Sequence, residues 1–309
     1  MAKSGIHHIT AISSTTQENY DFYTKILGLR FIKKTVNYDD PGTYHFYYGD
    51  RTGSPGSALT FFPHPGLPQG RPGRGQAVEI GFAIPKGALE FWAARFKEKG
   101  IRYQGPMQRF DENFLRISDP DGLILELVGV DGLPGDEAWT TGEIGADVAI
   151  RGFHGVTLWV EDRQKTARIL TGHLGFREAG ADEGRYRYAT GEKGLGQIVD
   201  IREVPEMKRG LSGAGTIHHV AWRVGDEADE RKIRDVLIAE GMNLTPVIDR
   251  NYFRSVYFRE PGGIIFELAT DQPGFTVDED VETLGRALKL PPQYEANRAA
   301  ITAALPPLE

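Results

Sequence analysis

The chain has 309 residues, enough for about two domains of ordinary size, and its 40% hydrophobic and 26% charged residues are typical of a globular protein. The formal net charge of −7 argues against a nucleic-acid or membrane partner, and the absence of cysteine excludes disulfides, thiolate metal ligands and a cysteine nucleophile. No apolar run approaches the ~20 residues of a membrane span, and residues 1–6 contain no signal-peptide pattern, so we predict a cytoplasmic protein.

Four apolar strand patterns open four successive units of the chain. They lie at 5–10, 77–84, 152–158 and 216–221. The first and last contain adjacent histidines, His7-His8 and His218-His219, whereas the third contains only His154 and the second contains none. The recurrence of one pattern at intervals along a chain indicates a structural repeat.

Each strand pattern is followed by a helical pattern that ends at a glycine, which suits the left-handed backbone of a helix C-terminus. These glycines are Gly28, Gly100, Gly175 and Gly241. The second and fourth units also close with a turn and an apolar strand, and their spacing is constant. Gly241, Pro261 and Glu267 lie 141 residues after Gly100, Pro120 and Glu126. A constant offset at three landmarks supports the repeat.

These landmarks divide the chain into four units of strand, helix and several strands, grouped in two halves. We predict an N-terminal half at 5–130, a linker at 131–149, a C-terminal half at 150–272 and a tail at 273–309. The tail carries helical patterns around 281–290 and 294–304, and packing on a domain or a partner is the role that they indicate.

The paired histidines are candidate metal ligands. Successive side chains of a strand point to opposite faces, so one histidine of each pair is expected to face a given cavity. Aligning the units places His8 and His219 together with Gly155. The aligned residue of the second unit is Glu79, or Val78 if the alignment slips by one residue.

The closing strands of the second and fourth units add one carboxylate each, Glu126 and Glu267. If the first and fourth units share one cupped sheet, that sheet offers His8, His219 and Glu267. The other pairing of units offers Glu126 without a ligand histidine. We therefore predict one live metal site and one vestigial site.

Two histidines and a carboxylate with open positions form the facial arrangement of non-haem Fe(II) oxygenases. The same ligands suit Zn(II), Mn(II) or Ni(II), so ligand type alone leaves the metal open. We interpret His45, His64, His154 and His173 as structural, and Glu126 as a vestige or an exposed charge.

The chain resembles the vicinal oxygen chelate superfamily, and within it the ring-cleaving dioxygenases of the chlorohydroquinone and methylhydroquinone type, which open para-hydroquinones. The resemblance extends from 5–10 to 273–280. Its marks lie at 5–10, 44–45, 83–87, 151–154, 218–219, 254–257 and 261–263. It implies an α+β fold of four βαβββ modules in two tandem domains with cupped mixed sheets, followed by a C-terminal helical tail.

Carried over by position, the resemblance implies Fe(II) on His8, His219 and Glu267, the set that the repeat also indicates. It further implies five catalytic residues around the metal, which are His7, Thr10, His218, Arg250 and Tyr257. Catechol-cleaving relatives usually take all three ligands from the C-terminal half, and Gly155 stands where such an enzyme would need a histidine.

We assign each implied catalytic residue a role. Arg250, which is always charged, is expected to stabilise developing negative charge, and His218 to move protons near neutral pH. Tyr257 is expected to hydrogen-bond a substrate or oxygen atom. Thr10 shares strand parity with His8 and is expected to line the same cavity, while His7 orients the neighbouring ligand.

The prediction is a non-haem iron, extradiol-type ring-cleaving dioxygenase that inserts both atoms of O2 into a hydroquinone-type aromatic with ring opening. Its partners would be a small aromatic substrate and O2, and the resemblance implies a homo-oligomer, a dimer or higher. Two alternatives stay open. One is a glyoxalase-like metal-dependent isomerase or transferase, which needs no oxygen. The other is a ligand-sequestering protein of the bleomycin-resistance kind, which does not need a complete metal triad.

Overall fold

A computed structural model of the protein describes residues 4–133, 138–191 and 194–309. Two parts of the chain for which we made predictions lie outside the described residues. They are residues 1–3 at the N-terminus and residues 134–137 in the predicted linker at 131–149.

Four modules of one helix and four strands follow one another along the chain. The first has β1 (Ile6–Ser13), α1 (Thr16–Asp21) continued by a π-helical turn (Phe22–Ile26), β2 (Arg30–Asn37), β3 (Asp40–Gly49) and β4 (Ala58–Pro63). The second has β5 (Gln76–Pro85), a 3-10 turn (Lys86–Ala88), α2 (Leu89–Glu98), β6 (Tyr103–Arg109), β7 (Glu112–Ser118) and β8 (Ile124–Val130). The third has β9 (Gly152–Val160), α3 (Arg163–His173), β10 (Arg177–Asp182), β11 (Arg185–Ala189) and β12 (Ile198–Glu203). The fourth has β13 (Thr216–Val224), α4 (Glu227–Ala239), β14 (Ile248–Asp249), β15 (Arg254–Arg259) and β16 (Ile265–Thr270). The predicted α+β fold of four βαβββ modules is confirmed.

The strands form two eight-stranded mixed sheets, and each sheet takes one module from either half of the chain. The first sheet has the order β14-β15-β16-β13-β1-β4-β3-β2 and combines modules one and four. The second has the order β10-β11-β12-β9-β5-β8-β7-β6 and combines modules two and three. The halves at 5–130 and 150–272 are therefore each divided between the two sheets. Within each sheet one antiparallel strand pair at the centre joins the two modules, β1–β13 in the first sheet and β5–β9 in the second.

The central strands are almost completely buried, polar residues included. Every residue of β1 is buried, because one of its faces lines the interior of the cupped sheet and the other is covered by the rest of the fold. The helices contribute large side chains to the core, among them the fully buried Trp92 and Phe96 of α2 and Leu170 of α3. This packing fixes the curvature of the sheets, and with it the positions of the inward-facing side chains.

Two turn carboxylates at the predicted offset of 141 residues connect the sheets to each other. Asp119 of the second sheet accepts hydrogen bonds from two backbone amides of its own turn and from the Tyr23 hydroxyl at 3.0 Å. Glu260 of the first sheet likewise accepts two backbone amides and the Thr166 hydroxyl at 2.8 Å. Tyr23 and Thr166 belong to helical segments on the other sheet in each case, so each turn ties one sheet to its neighbour.

The Asp119 turn is expected to make stability depend on pH. Burial raises the pKa of Asp119 to about 7, against about 3.9 in an unfolded chain. The folded state therefore holds the proton more tightly, and the free energy of unfolding falls as pH rises from about 4 to about 7, by at most about 1.4 kcal/mol per pH unit. Asp119→Asn should flatten this slope in urea titrations at pH 5 to 8. The control Asp111→Asn, at an exposed position, should keep it, and an unchanged slope in Asp119→Asn would contradict the assignment.

The tail departs from its prediction in one place. The pattern at 281–290 is not a helix but a single 3-10 turn, Val281–Thr283, followed by a segment that runs beside the edge strand β2. Gly285 has a φ of 78°, with the Phe31 carbonyl against it, so the helix cannot continue. The second pattern is found as a 3-10 segment, Pro292–Asn297, and helix α5, Arg298–Ala304. Among the described residues, the helices are too short or too polar to span a bilayer.

Candidate metal centre

Two β-bulges change the register of the β1–β13 ladder at the histidine pairs. In the β1–β13 ladder Ile6 pairs with Trp222 and His8 with Ala221, so His7 is an extra residue on β1. On the opposite strand His218 is the extra residue, between the paired His219 and Ile217. Strict alternation predicts that one histidine of each pair faces the site. That expectation holds for the first pair, where His8 faces the cavity and His7 does not, whereas His218 and His219 both line it.

The three predicted ligands converge. His8, His219 and Glu267 lie on the adjacent central strands β1, β13 and β16 and are all buried. The Nε2 atoms of the two histidines are 3.3 Å apart, and Glu267 Oε2 lies 3.2 Å from His8 Nε2 and 2.9 Å from His219 Nε2. Among the described residues this is the one cluster of His, Asp and Glu side chains with metal-ligand geometry.

The donor set fits a metal ion. Three donor atoms, each about 2.1 Å from one cation and at right angles to each other, would lie about 3 Å apart, close to the observed distances. Glu267 Oε1 accepts a hydrogen bond from Ser255 Oγ at 2.5 Å, whereas its buried Oε2 has no hydrogen-bond donor and faces the two imidazoles. Burial alone would raise the pKa of Glu267, but His8 and His219 hold it well below its usual range, so the ligand is a carboxylate.

His7 and His218 each hydrogen-bond the ligand that follows them. Their Nδ1 atoms lie 2.9 Å from His8 Nδ1 and 2.7 Å from His219 Nδ1, which leaves Nε2 of each ligand directed at the centre. Burial, together with the adjacent histidine, lowers the pKa of both His7 and His218 to about 3. This shift disfavours the predicted role of His218 in moving protons near neutral pH, because a buried imidazole beside another imidazole does not readily take a charge.

A cavity of about 520 Å³ opens over the centre, and most of the predicted catalytic residues line it. Arg250 Nε donates to the Tyr257 hydroxyl at 3.2 Å, and both side chains face the cavity together with His218. Burial and the nearby Glu267 raise the pKa of Tyr257, so its hydroxyl stays protonated at neutral pH. The tyrosine ring also packs edge-on against His219, with ring centroids 5.5 Å apart.

Two predicted residues lie outside the cavity wall. Thr10 is fully buried and does not line the cavity, because its Oγ1 lies 2.7 Å from Thr60 Oγ1, which in turn lies 2.9 Å from the cavity-lining His45 Nε2. His7 faces a separate depression on the other side of the ligands, beside Phe253. Both remain in contact with the centre indirectly, Thr10 through Thr60 and His7 through His8.

Two histidines that we interpreted as structural line the cavity. His45 Nε2 lies 2.9 Å from Thr60 Oγ1 and its Nδ1 lies 3.0 Å from the Tyr47 hydroxyl, so His45 and Tyr47 form one wall. His64 lines the cavity as well. The alternation of β3 carried the signal for His45 and Tyr47, which share one face of that strand. No sequence pattern pointed to His64, which follows the end of β4.

The opposite wall is closed by a hairpin turn. Tyr38 and Asp39, between β2 and β3, line the cavity, and the Tyr38 hydroxyl donates to the Arg250 backbone oxygen at 3.2 Å. Asp39 Oδ2 lies 3.7 Å from a terminal nitrogen of Arg250. Module one and module four thus meet at Arg250 as well as at the metal ligands.

The matching place in the second sheet holds arginines instead. There Glu79 and Glu126 occupy the positions of His219 and Glu267, as the strand registers show, and both are buried. Arg116 bonds both carboxylates, at 3.4 Å and 2.6 Å, and Arg109 bonds Glu126 through two nitrogens. Arg185 bonds Glu79 at 2.8 Å. Guanidinium groups therefore supply the positive charge there, and Glu126 is a buried carboxylate in an ion network rather than an exposed charge.

Comparisons with known proteins identify a family and similar chains. The family model of the glyoxalase/bleomycin resistance protein/dioxygenase superfamily matches residues 5–127 and 152–268. The chain is 46% identical to "Putative ring-cleaving dioxygenase MhqO" of Bacillus subtilis, over 100% of this chain and 98% of that protein. It is 33% identical to the chlorohydroquinone/hydroquinone 1,2-dioxygenase of Sphingobium indicum, over 94% and 92%.

Solved structures share the fold. A crystal structure of a "putative dioxygenase" from Bacillus subtilis has a TM-score of 0.95 at 46% identity and covers 99% of this chain and 97% of its own. Glyoxalase I from Zea mays has a TM-score of 0.66 at 16% identity, over 87% and 93%, which indicates a common fold alone.

Proposed function

The chain belongs to the glyoxalase/bleomycin resistance protein/dioxygenase superfamily, and from this premise we propose that it is an Fe(II)-dependent dioxygenase that cleaves the ring of para-hydroquinones. The observation that carries the proposal is the convergence of His8, His219 and Glu267 below a cavity walled by aromatic and polar side chains. The predicted resemblance to para-hydroquinone dioxygenases is confirmed, and relatives that cover nearly the whole chain bear names of ring-cleaving dioxygenases.

Three protein ligands would leave coordination positions of the metal free for other molecules. Fe(II) held by two imidazoles and one carboxylate would supply neighbouring open positions for substrate and O2, together with the redox chemistry that joins them. Mn(II), Zn(II) and Ni(II) also suit these ligands. His8 comes from module one and the other two ligands come from module four, so the site forms only when these two modules share a sheet.

The surrounding side chains are suited to a ring that gains negative charge. A hydroquinone bound as its phenolate would carry negative charge on the ring, and the half-buried guanidinium of Arg250 would stabilise that charge at the cavity wall. The Tyr257 hydroxyl already accepts from Arg250 Nε, so its own proton is free to be donated to a substrate oxygen. His218 is neutral and provides a hydrogen bond at the cavity surface rather than a proton reservoir.

The bond to be cleaved lies beside a hydroxylated carbon. The name of the Sphingobium relative places its cleavage at the 1,2 position of a hydroquinone, and we propose the same bond here. The term extradiol, used in the prediction above, describes cleavage beside two neighbouring hydroxyl groups. A para-hydroquinone has no neighbouring hydroxyl groups, so the term is not part of this proposal. The cytoplasmic location and the homo-oligomeric state stay predictions.

Oxygen consumption tests the proposal. The protein would be freed of metal, loaded anaerobically with Fe(II) and mixed with methylhydroquinone, chlorohydroquinone or catechol in an oxygen-electrode cell. We expect uptake of one O2 per ring opened with both hydroquinones. Full iron loading without uptake on any diol would overturn the dioxygenase and favour the isomerase alternative, whereas activity confined to catechol would overturn the substrate class.

Tyr257→Phe is expected to lower kcat/KM for methylhydroquinone by about a hundredfold, the typical effect of removing one hydrogen-bond donor to developing charge. Iron content should remain at one per chain, because the tyrosine is not a ligand. The matched control is Tyr20→Phe, since Tyr20 packs on Phe31 away from the cavity and should retain full activity. A Tyr257→Phe enzyme with unchanged kcat/KM would show that the hydroxyl does not act on the substrate.

A further inference from the structure

One side of the cavity carries an apolar patch made by Ile12, Phe62 and Ile265. Ile12 pairs with Phe62 across the β1–β4 ladder and with Thr216 at the start of β13. Since Phe266 pairs with Val220 in the parallel β13–β16 ladder, Ile265 lies level with His219, and Ile12 lies farther toward the start of β13. The three side chains therefore line one stretch of the cavity wall, from the level of the metal ligands to the end of the sheet.

The patch lies within reach of the metal ligands. Ile265 is two residues from Glu267 and on the same face of β16, which corresponds to about 6.6 Å along the strand. Ile12 is four residues from His8, or about 13 Å along β1. Phe62 and Ile265 are half-buried, so the patch extends from the ligands toward solvent.

The cavity is larger than one substituted ring requires. A cavity of about 150 Å³ holds a benzene molecule, whereas this one measures about 520 Å³. A volume of this size lies in the range of pockets for drug-sized ligands. A hydroquinone with its ring at the metal would leave the apolar patch in contact with water unless the substrate carries an additional group.

Charge indicates what this group is. Among the described residues that line the cavity, Arg250 is the one arginine or lysine, and it is engaged with Tyr257 and Asp39 on the hairpin side. A carboxylate at the patch would lie against two isoleucines and a phenylalanine, with the one arginine of the cavity wall engaged on the hairpin side, and its desolvation would weaken binding. An alkyl group would bury apolar area on both surfaces.

We propose that the preferred substrates are para-hydroquinones with an uncharged alkyl substituent of several carbon atoms, which binds on Ile12, Phe62 and Ile265. This rests on the proposed ring-cleaving function and specifies its substrate class. Each buried methylene contributes about 0.8 kcal/mol, or about fourfold in binding.

The first test compares substituents on the same Fe(II)-loaded enzyme. We expect kcat/KM for hexylhydroquinone to exceed that for methylhydroquinone at least tenfold, and the carboxylated 2,5-dihydroxyphenylacetate to fall at least tenfold below methylhydroquinone. Titration calorimetry without oxygen gives a readout independent of turnover, and the dissociation constant should decrease in the same order from methyl to hexyl.

The second test fills the patch. Ile265→Trp should lower the ratio of hexyl to methyl activity, and the ratio of the two affinities, at least tenfold. Ile238→Trp is the matched control, because Ile238 is 41% exposed on α4 and outside the cavity, and it should keep both ratios. Phe62→Ala, which removes bulk from the same patch, provides a second variant if Ile265→Trp does not fold.

The outcomes separate this inference from the function on which it rests. Absence of O2 uptake with every hydroquinone would overturn the proposed function. Turnover of methylhydroquinone with no gain in rate or affinity for the hexyl compound would leave the function intact and overturn the alkyl substrate class. Equal ratios in Ile265→Trp and wild type would overturn the placement of the substituent.

Discussion

Glu267→Gln is expected to abolish stoichiometric Fe(II) binding. It should lower ring-cleaving activity by more than the ten- to hundredfold that is typical when a residue that hydrogen-bonds a metal ligand is substituted. The substitution removes the one negative charge of the donor set while keeping the shape of the side chain. The Ser255 hydroxyl, 2.5 Å from Oε1, can still bond the amide oxygen, so the position of the side chain should be retained. Iron content after gel filtration and O2 uptake are the measurements.

The repeat provides a matched control. Glu126, 141 residues earlier, is the equivalent carboxylate of the second sheet, where Arg109 and Arg116 bond it. Glu126→Gln should retain one iron per chain and full activity, but it should lower the free energy of unfolding by about 1–3 kcal/mol, because it removes the carboxylate charge that Arg109 and Arg116 bond most closely. Loss of iron from Glu126→Gln, or full iron in Glu267→Gln, would mean that the ligands are wrongly assigned.

The ligand set could be predicted because the repeat acts as an internal comparison. Glu267 has no distinctive neighbourhood of its own, yet its constant offset from Glu126 marked it as part of a module, and His8 and His219 opened equivalent units. The strand pairing also decides the alignment left open at the second module, since Glu79 rather than Val78 occupies the ladder position that corresponds to His219.

The rest depends on contacts that no periodic pattern records. A bulge adds a residue without changing the hydrophobic pattern, so alternation could not show that His7 and His218 would reach their neighbours. Thr10 shares parity with His8 but does not line the cavity, because Thr60 and His45 of two other strands lie between Thr10 and the cavity, and parity along one strand does not record such contacts. The arginines around Glu79 and Glu126 come from strands of two modules, and their meeting is a consequence of which modules share a sheet.

The tail, for which sequence gave no role beyond packing, supports the cavity wall. Phe275 packs on Tyr47, with ring centroids 4.9 Å apart, and belongs to a small buried cluster that also contains Phe253. Tyr47 and Phe253 both line the cavity. Farther along, the Tyr294 hydroxyl donates to the Tyr38 backbone oxygen at 2.7 Å and so holds the hairpin that closes the opposite wall.

Lys33→Met is therefore expected to destabilise the protein and weaken substrate binding together. The Lys33 ammonium is fully buried on β2 and lies 2.6 Å from Asp278 and 2.5 Å from Glu279, which fastens the tail to module one. Without it, two adjacent carboxylates lose their cation in a largely buried place, at about 3–5 kcal/mol of unfolding free energy. Asp278 also accepts the Tyr252 hydroxyl, so KM for methylhydroquinone should rise while iron stays bound.

A substitution at the neighbouring Lys34 provides the control, because it also removes a lysine charge from β2 but leaves the ion pairs with the tail in place. Lys34 is only half-buried on the next position of β2, and its contact with the tail runs through its backbone oxygen, which Lys34→Met leaves in place. Lys34→Met should change the free energy of unfolding by no more than about 0.5 kcal/mol and leave KM unchanged. Urea titration and O2 uptake are measured on both variants. A Lys33→Met protein that loses stability but keeps its KM would contradict the proposed link. In that case the ion pairs of Lys33 would stabilise the fold, but they would not position Tyr47 and the cavity wall through Phe275.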